Sequence, residues 1–194
     1  MNTEPEKKII ILTAPSGAGK TTIKTRLLKE MADQLSFSVS ATTRTIRGGE
    51  VDGVDYFFIP ESAFKDNIEN NRFIEWEMVY SGMYYGTTVE EMHRIWKEGR
   101  TPLLDIDVKG ALSVKKLFGN QVLSIFIEPP SIEVLEQRLI RRGTDNIQNI
   151  SMRVNKAKEE MQYKNSFDKI ILNDDIEKAT AETAEIIKQF IGQK

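Results

Sequence analysis

Eight residues near the start of the chain, Ala14-Pro15-Ser16-Gly17-Ala18-Gly19-Lys20-Thr21, carry its strongest chemical signal. Gly17 and Gly19 free the backbone to aim N–H groups at phosphate oxygens, and a helix starting directly after them adds partial positive charge. Lys20 is spaced to bridge the β- and γ-phosphates of a nucleoside triphosphate, and the Thr21 hydroxyl to hold Mg²⁺. The chemistry implied is capture of a triphosphate and its use as a phosphoryl donor. Ala14 stands where the pattern has its first glycine, a position that accepts alanine if its φ is negative.

Two further groups suit that chemistry. Thr101-Pro102-Leu103-Leu104-Asp105-Ile106-Asp107 ends an apolar run with carboxylates two residues apart, hence on one side of a strand. At the carboxyl end of a parallel strand they face the ligand crevice, where Asp105 is a candidate to hold Mg²⁺ through water. An N-cap role for Asp107, ahead of Val108-Lys109-Gly110, is the alternative. Arg44 and Arg47, with Tyr56 nearby, form a plausible clamp for a phosphate monoester, because guanidinium donors match phosphate oxygens.

The elements that must position these residues read as an alternation of strand and helix. Ile9 to Leu12 is apolar without alternation and runs through the glycine-rich loop into a helical pattern. Similar runs at Pro102 to Ile106, Val122 to Ile127 and Lys169 to Leu172 are each followed by helical spacing. This predicts an α/β fold, a parallel sheet flanked by helices. Ile147, Ile150, Val154, Ala157 and Met161 form one seam of a long helix carrying Arg153; Ile176, Ala179, Thr183, Ile186, Ile187 and Phe190 form another. Between Ser36 and Thr88 short alternating stretches broken by Gly48-Gly49, Gly53, Gly82 and Gly86 predict an inserted, mostly β lobe. His93, beside Trp96 on a helix, reads as structural.

Bulk properties narrow the partners. A length of 194 residues fits one domain. The net charge of -2 removes the broad positive field of a nucleic-acid binder and favours small phosphorylated ligands held by local Arg and Lys clusters. The absence of cysteine excludes disulfides, thiolate metal sites and a thiol nucleophile. The apolar run Ile9 to Leu12 is far shorter than the roughly 20 residues of a membrane span. A cytoplasmic protein with no nucleic-acid or membrane partner, monomeric or homodimeric, is expected.

Together with the phosphate loop, Thr42-Thr43-Arg44-Thr45-Ile46-Arg47-Gly48-Gly49-Glu50 through Asp55-Tyr56-Phe57-Phe58 resembles the guanylate kinase signature. The resemblance continues in order through Phe73-Ile74-Glu75-Trp76, Tyr84-Tyr85-Gly86-Thr87, Leu104 to Asp107, Arg138 to Thr144, Arg153 and Asn173-Asp174-Asp175, covering nearly the whole chain. It implies a P-loop kinase with a core of residues 1–35, 88–130 and 165–194, an inserted mixed or antiparallel β lobe for GMP at 36–87, and a helical lid at about 131–164. It implies transfer of the ATP γ-phosphoryl group to GMP, and to dGMP, in purine nucleotide metabolism, with Mg²⁺ accompanying ATP.

The resemblance assigns residues as well. Pro15, Ser16, Gly17, Ala18, Gly19, Lys20, Thr21 and Thr22 would hold ATP, with Asn173 by the adenine; Thr21 and Asp105 would serve the metal. Arg44, Arg47, Tyr56 and Tyr85 would grip the GMP phosphate, while Ser40, Glu75, Thr87 and Asp107 read the guanine edge. Arg138, Arg142 and Arg153 of the lid join Lys20 and Arg44 in stabilising the transferred group. Ile46 stands where many relatives have proline. Two other readings compete: a P-loop kinase with a different phosphorylated acceptor, and a non-catalytic module of the same fold that binds phosphopeptides, which the intact Gly17, Gly19, Lys20 and Thr21 disfavour.

Overall fold

The computed structural model describes residues 7–142 and 147–192. The chain order is β1 (Ile9–Thr13), α1 (Lys20–Glu30), β2 (Leu35–Phe37), β3 (Ala41–Thr42), β4 (Phe57–Phe58), α2 (Glu61–Glu69), β5 (Phe73–Tyr80), β6 (Met83–Thr88), α3 (Val89–Lys97) and β7 (Thr101–Asp105). It continues with α4 (Val108–Phe118), β8 (Val122–Glu128), α5 (Ile132–Arg142), α6 (Ile147–Met161), β9 (Lys169–Leu172) and α7 (Ile176–Gly192).

Every residue of β1 is buried because this strand lies in the middle of a five-stranded sheet of order β2-β7-β1-β8-β9. All its pairings are parallel, with Ile10 opposite Leu103 and Ile9 opposite Val122. Alternate side chains serve opposite faces, so both must be apolar. Ile10 and Leu12 join Leu103, Ile125 and Ile127 beneath Ile23 and Leu27 of α1 and Ala179 and Ile187 of α7. Ile9 and Ile11 pack the other way, with Leu104 and Phe126, against Ala111 and Val114 of α4 and Met92 of α3. Among the described residues, no helix is long and apolar enough to cross a membrane.

The expected β texture after Ser36 resolves into two parts. Leu35–Phe37 pairs with β7 in the main sheet, and a separate four-stranded mixed sheet of order β4-β3-β6-β5 begins at Ala41. The segment also contains α2, a helix the alternating pattern hides. Its Phe64, fully buried, stacks on Phe73 at 4.4 Å and meets Tyr84 at 5.4 Å. Glu91 of α3 ties this lobe to the core by accepting the Val39 N–H at 3.0 Å. The helices α5 and α6 pack on each other through Leu135, Leu139, Val154 and Ala157. Of the proposed lid segment, residues 143–146 lie outside the described residues.

Candidate active site

The loop between β1 and α1 turns through Gly17 at φ 94° and Gly19 at φ 96°, the left-handed region in which a Cβ is strained. Gly19 is the N-cap of α1 and offers no side-chain cap, so no side chain occupies the N–H groups at the helix start, where an anion is favoured. Ala14 settles the first-glycine question: it lies outside the positive-φ residues and is buried in the core under α1. Its methyl group is packing that glycine would not supply.

Lys20 is not free in this loop. Its ammonium pairs with Asp105 Oδ1 and donates to the Ile106 carbonyl at 3.4 Å, while Lys24, one turn along α1, takes Asp105 Oδ2 at 2.9 Å. Burial alone would push the Asp105 carboxyl up, but the two lysines outweigh it and hold it at about 2. Asp107 is the N-cap of α4, its Oδ1 accepting the Gly110 N–H at 2.8 Å, so its capping role is realised.

Arg44 is buried, with its guanidinium forked onto Glu50 at 2.7 and 2.5 Å and donating to the Thr45 carbonyl at 2.9 Å. The same Glu50 accepts the backbone N–H of Arg47 at 2.8 Å, and Arg44 lies over the Tyr56 ring at 5.0 Å. Those Arg44 hydrogen bonds hold the Glu50 carboxyl at about 2 and raise Arg44 above its ordinary value. Tyr56 meets Tyr85 edge to face at 5.8 Å, and burial lifts its hydroxyl to about 12.

On β5 and β6, Glu75 opposes Thr87, whose hydroxyl donates to Glu75 Oε1 at 2.7 Å. Burial pushes the Glu75 carboxyl up to about 7; Thr87 opposes the rise and the nearby Asp107 charge adds to it. A Cβ on Gly110 would lie 2.7 Å from Glu75 Oε2, so glycine in the first turn of α4 makes room for this carboxylate.

From α5, Arg138 donates to the carbonyls of Ala18 at 3.4 Å and Asn173 at 3.0 Å; from α6, Arg153 donates to Ser16 Oγ at 3.1 Å. Both arginines therefore rest on or beside the phosphate loop. Asn173 donates to the Ala18 carbonyl at 2.6 Å, and its Oδ1 is buried without a hydrogen-bond partner. The side chain of Arg142 lies outside the described residues.

One cavity of ≈570 Å³ collects most of these groups. Its wall includes Pro15, Ser16, Gly17 and Gly19 of the loop, Lys20, Thr21 and Thr22 at the start of α1, and Ser40, Arg47, Tyr56, Glu75 and Tyr85 of the inserted lobe, with Asp105, Asp107, Arg138 and Arg153. Ala18, Arg44, Thr87 and Asn173 are buried behind that wall and touch its residues. Glu50, Lys24 and Gly110 belong to the site by contact although nothing in the sequence analysis assigns them a role. Lys24 repeats Lys20 after one helical turn, and Glu50 follows the Gly48-Gly49 pair that returns the chain toward Arg44; these were the available signals.

A cavity with an uncapped helix N-terminus, a carboxylate able to accept two N–H bonds, and cations has the chemistry to hold two phosphorylated nucleosides. Comparison with known proteins agrees. Residues 6–190 match the family model described as Guanylate kinase. The chain is 47% identical over 187 residues to a guanylate kinase of Bacteroides thetaiotaomicron, covering 96% of this chain and 91% of the relative. It is 47% identical over 192 residues to one of Chlorobium chlorochromatii, covering 99% and 100%. The solved guanylate kinase of Anaplasma phagocytophilum matches with a TM-score of 0.77 at 30% identity, over 96% of this chain and 87% of that one.

Proposed function

Since the chain belongs to the guanylate kinase family and so is an ATP:GMP phosphotransferase, we propose that it turns over dGMP as well as GMP, with Mg²⁺ on the ATP. Its place is the cytoplasm, where GDP formation feeds GTP supply in purine nucleotide metabolism. The acceptor assignment is carried by one observation: the buried Glu75 carboxylate lines the same cavity as the phosphate loop. As a carboxylate it accepts from guanine N1–H and the 2-amino group, whereas adenine offers a lone pair at N1 and nothing at C2.

The donor set fits Mg²⁺. Asp105 is ionised at the cavity wall, and Thr21 supplies a hydroxyl at the helix N-terminus, hard oxygens for a cation that keeps most of its water and binds chiefly to phosphate. Bound there, Mg²⁺ would neutralise charge on the β- and γ-phosphates. The remaining tasks fall to the protein. A phosphate monoester has its second pKa near ~6, so the GMP oxygen is ready to attack at neutral pH without a side-chain base. Arg44, Arg47, Tyr56 and Tyr85 hold that phosphate in line, while Ser40, Thr87 and Asp107 support Glu75 at the base. Lys20, Arg138 and Arg153, with Arg142, oppose the charge that spreads over the transferred group. Asn173 takes the adenine side, and the α5–α6 pair excludes water as a rival acceptor.

The test is an acceptor panel of GMP, dGMP, IMP, AMP and a sugar phosphate, following ADP formation. GMP and dGMP should turn over at comparable kcat/KM, with AMP and the sugar phosphate at least about 10³-fold lower, since a site built to pair with donors rejects analogues lacking them. Turnover of AMP within tenfold of GMP refutes the role given to Glu75.

A further inference from the structure

The carboxylate at the end of β7 faces two ammonium groups from one helix. Lys20 takes Asp105 Oδ1 and Lys24 takes Oδ2 at 2.9 Å, each of the three side chains less than one-fifth exposed. Four residues apart, the two lysines share one face of α1. They differ in what else holds them. Lys24 lies over the Phe37 ring, its Nζ 4.1 Å from the centroid, and Phe37 is fixed in β2 opposite Leu103 of β7. Besides Asp105, Lys20 donates to the Ile106 carbonyl at 3.4 Å, and it lines the cavity. Lys24 is outside that lining.

Of its three donors Lys20 spends two, on Asp105 Oδ1 and the Ile106 carbonyl, so gripping both the β- and γ-phosphates draws it off the carboxylate. Releasing it would strand a largely buried carboxylate, which is costly when no counter-charge replaces the one removed. Asp105 already has that replacement. We propose that Lys24 is a positioning residue for donor binding: it keeps the Asp105 carboxylate when Lys20 turns to the triphosphate, so the carboxylate passes from two lysines to one and is never left unpaired. This rests on the reading of Lys20 as the ligand of the donor phosphates. Lys24 acts through Asp105, without touching the nucleotide.

The test is calorimetric titration of ATP, with EDTA present, into the wild-type protein and the Lys24→Met, Lys24→Arg, Lys20→Met, Asp105→Asn and Lys24→Met/Asp105→Asn variants. Lys24→Met should weaken ATP by about tenfold, the scale of losing one partly buried charge partner, and Lys24→Arg should restore binding to within about threefold. In the Asp105→Asn background the Lys24→Met change should cost less than about twofold, because the carboxylate it compensates is gone. Equal losses in both backgrounds would mean that Lys24 attracts the nucleotide directly, and unchanged binding in Lys24→Met would mean that no hand-over is needed; either overturns the proposal. Wild-type affinity in Lys20→Met would overturn the parent reading of Lys20 and the inference with it. Lys24→Gln, with a polar head on a shortened stem, replaces Lys24→Met in the same comparison if thermal melting shows that variant unfolded.

Discussion

Glu75 offers the sharpest test because its task and its environment pull in opposite directions. Pairing with guanine requires the carboxylate, yet burial lifts its pKa from an ordinary 4.5 to about 7 in the ligand-free protein. For kcat/KM, which reports the free enzyme, the competent fraction is about one-eleventh at pH 6 and about ten-elevenths at pH 8, a tenfold span. The GMP phosphate also titrates near pH ~6, but that contribution is common to any variant. The perturbation is therefore Glu75→Gln, assayed for kcat/KM on GMP at both pH values. The variant should lose roughly 10- to 100-fold on GMP at pH 8, the range for a charged hydrogen-bonding group of about 1.5–3 kcal/mol, with the KM for ATP within about twofold. Its ratio between pH 8 and pH 6 should shrink by about tenfold relative to wild type. Stability moves the other way. The unfolded chain releases the Glu75 proton near its ordinary value and the folded protein only near 7, so between these the unfolded state binds fewer protons and stability falls as pH rises. That cost is roughly 3 kcal/mol above pH 7, and Glu75→Gln should melt higher than wild type at pH 8 and not at pH 4. Identical pH ratios for the two proteins would refute a guanine-reading role for an ionised Glu75.

Lys20→Ala should abolish phosphoryl transfer with the fold intact by circular dichroism, and near-normal turnover would sink the donor assignment. Gly110→Ala puts a methyl group where Glu75 Oε2 now lies at 2.7 Å; the carboxylate must shift, so kcat/KM for GMP should fall about tenfold or more, as misplaced contacts cost, while ATP binding holds within twofold. Glu50→Gln leaves Arg44 and the Arg47 N–H with a weaker acceptor. It should lower the KM for GMP by roughly fivefold with ATP unaffected, since a neutral acceptor about 1 kcal/mol weaker gives up Arg44 more readily to the acceptor phosphate, a result read from initial rates at saturating ATP; a rise in that KM would mean that Glu50 holds Arg44 in place with GMP bound.

What the sequence made legible follows from where each constraint acts. Strands buried on both faces must be apolar throughout, so β1, β7 and β8 declare themselves as runs, and the seams of α6 and α7 appear at helical spacing. The phosphate loop is legible because its work is done by backbone, which demands glycine at fixed positions. By contrast α2 is hidden, since only Phe64 is buried on it and the neighbouring stretches alternate like strands. The boundary at Ser36 falls inside β2 because three residues of strand and the turn after them share the same texture. The roles of Lys24, Glu50 and Gly110 are not written along the chain because they exist only once β7, the Arg44 loop and β5 are brought beside them. Spacing along the chain records local geometry; these contacts are tertiary.

The same contacts explain how a chain of net charge -2 keeps an anion site ready. Four described cations of the site already have an acceptor within the protein: Lys20 on Asp105, Arg44 on Glu50, Arg138 on two carbonyls and Arg153 on Ser16 Oγ. Binding two nucleotides is therefore an exchange of partners, and affinity reflects the difference between phosphate and the acceptor it displaces. The two carbonyls on Arg138 leave no charge behind when they give way. Asp105 and Glu50 do leave one. Their remaining partners, Lys24 for the first and the Arg47 N–H for the second, decide how freely Lys20 and Arg44 can turn to substrate. Selectivity for a phosphorylated ligand over a smaller anion is a consequence: only a multiply charged group repays the separation of these ion pairs.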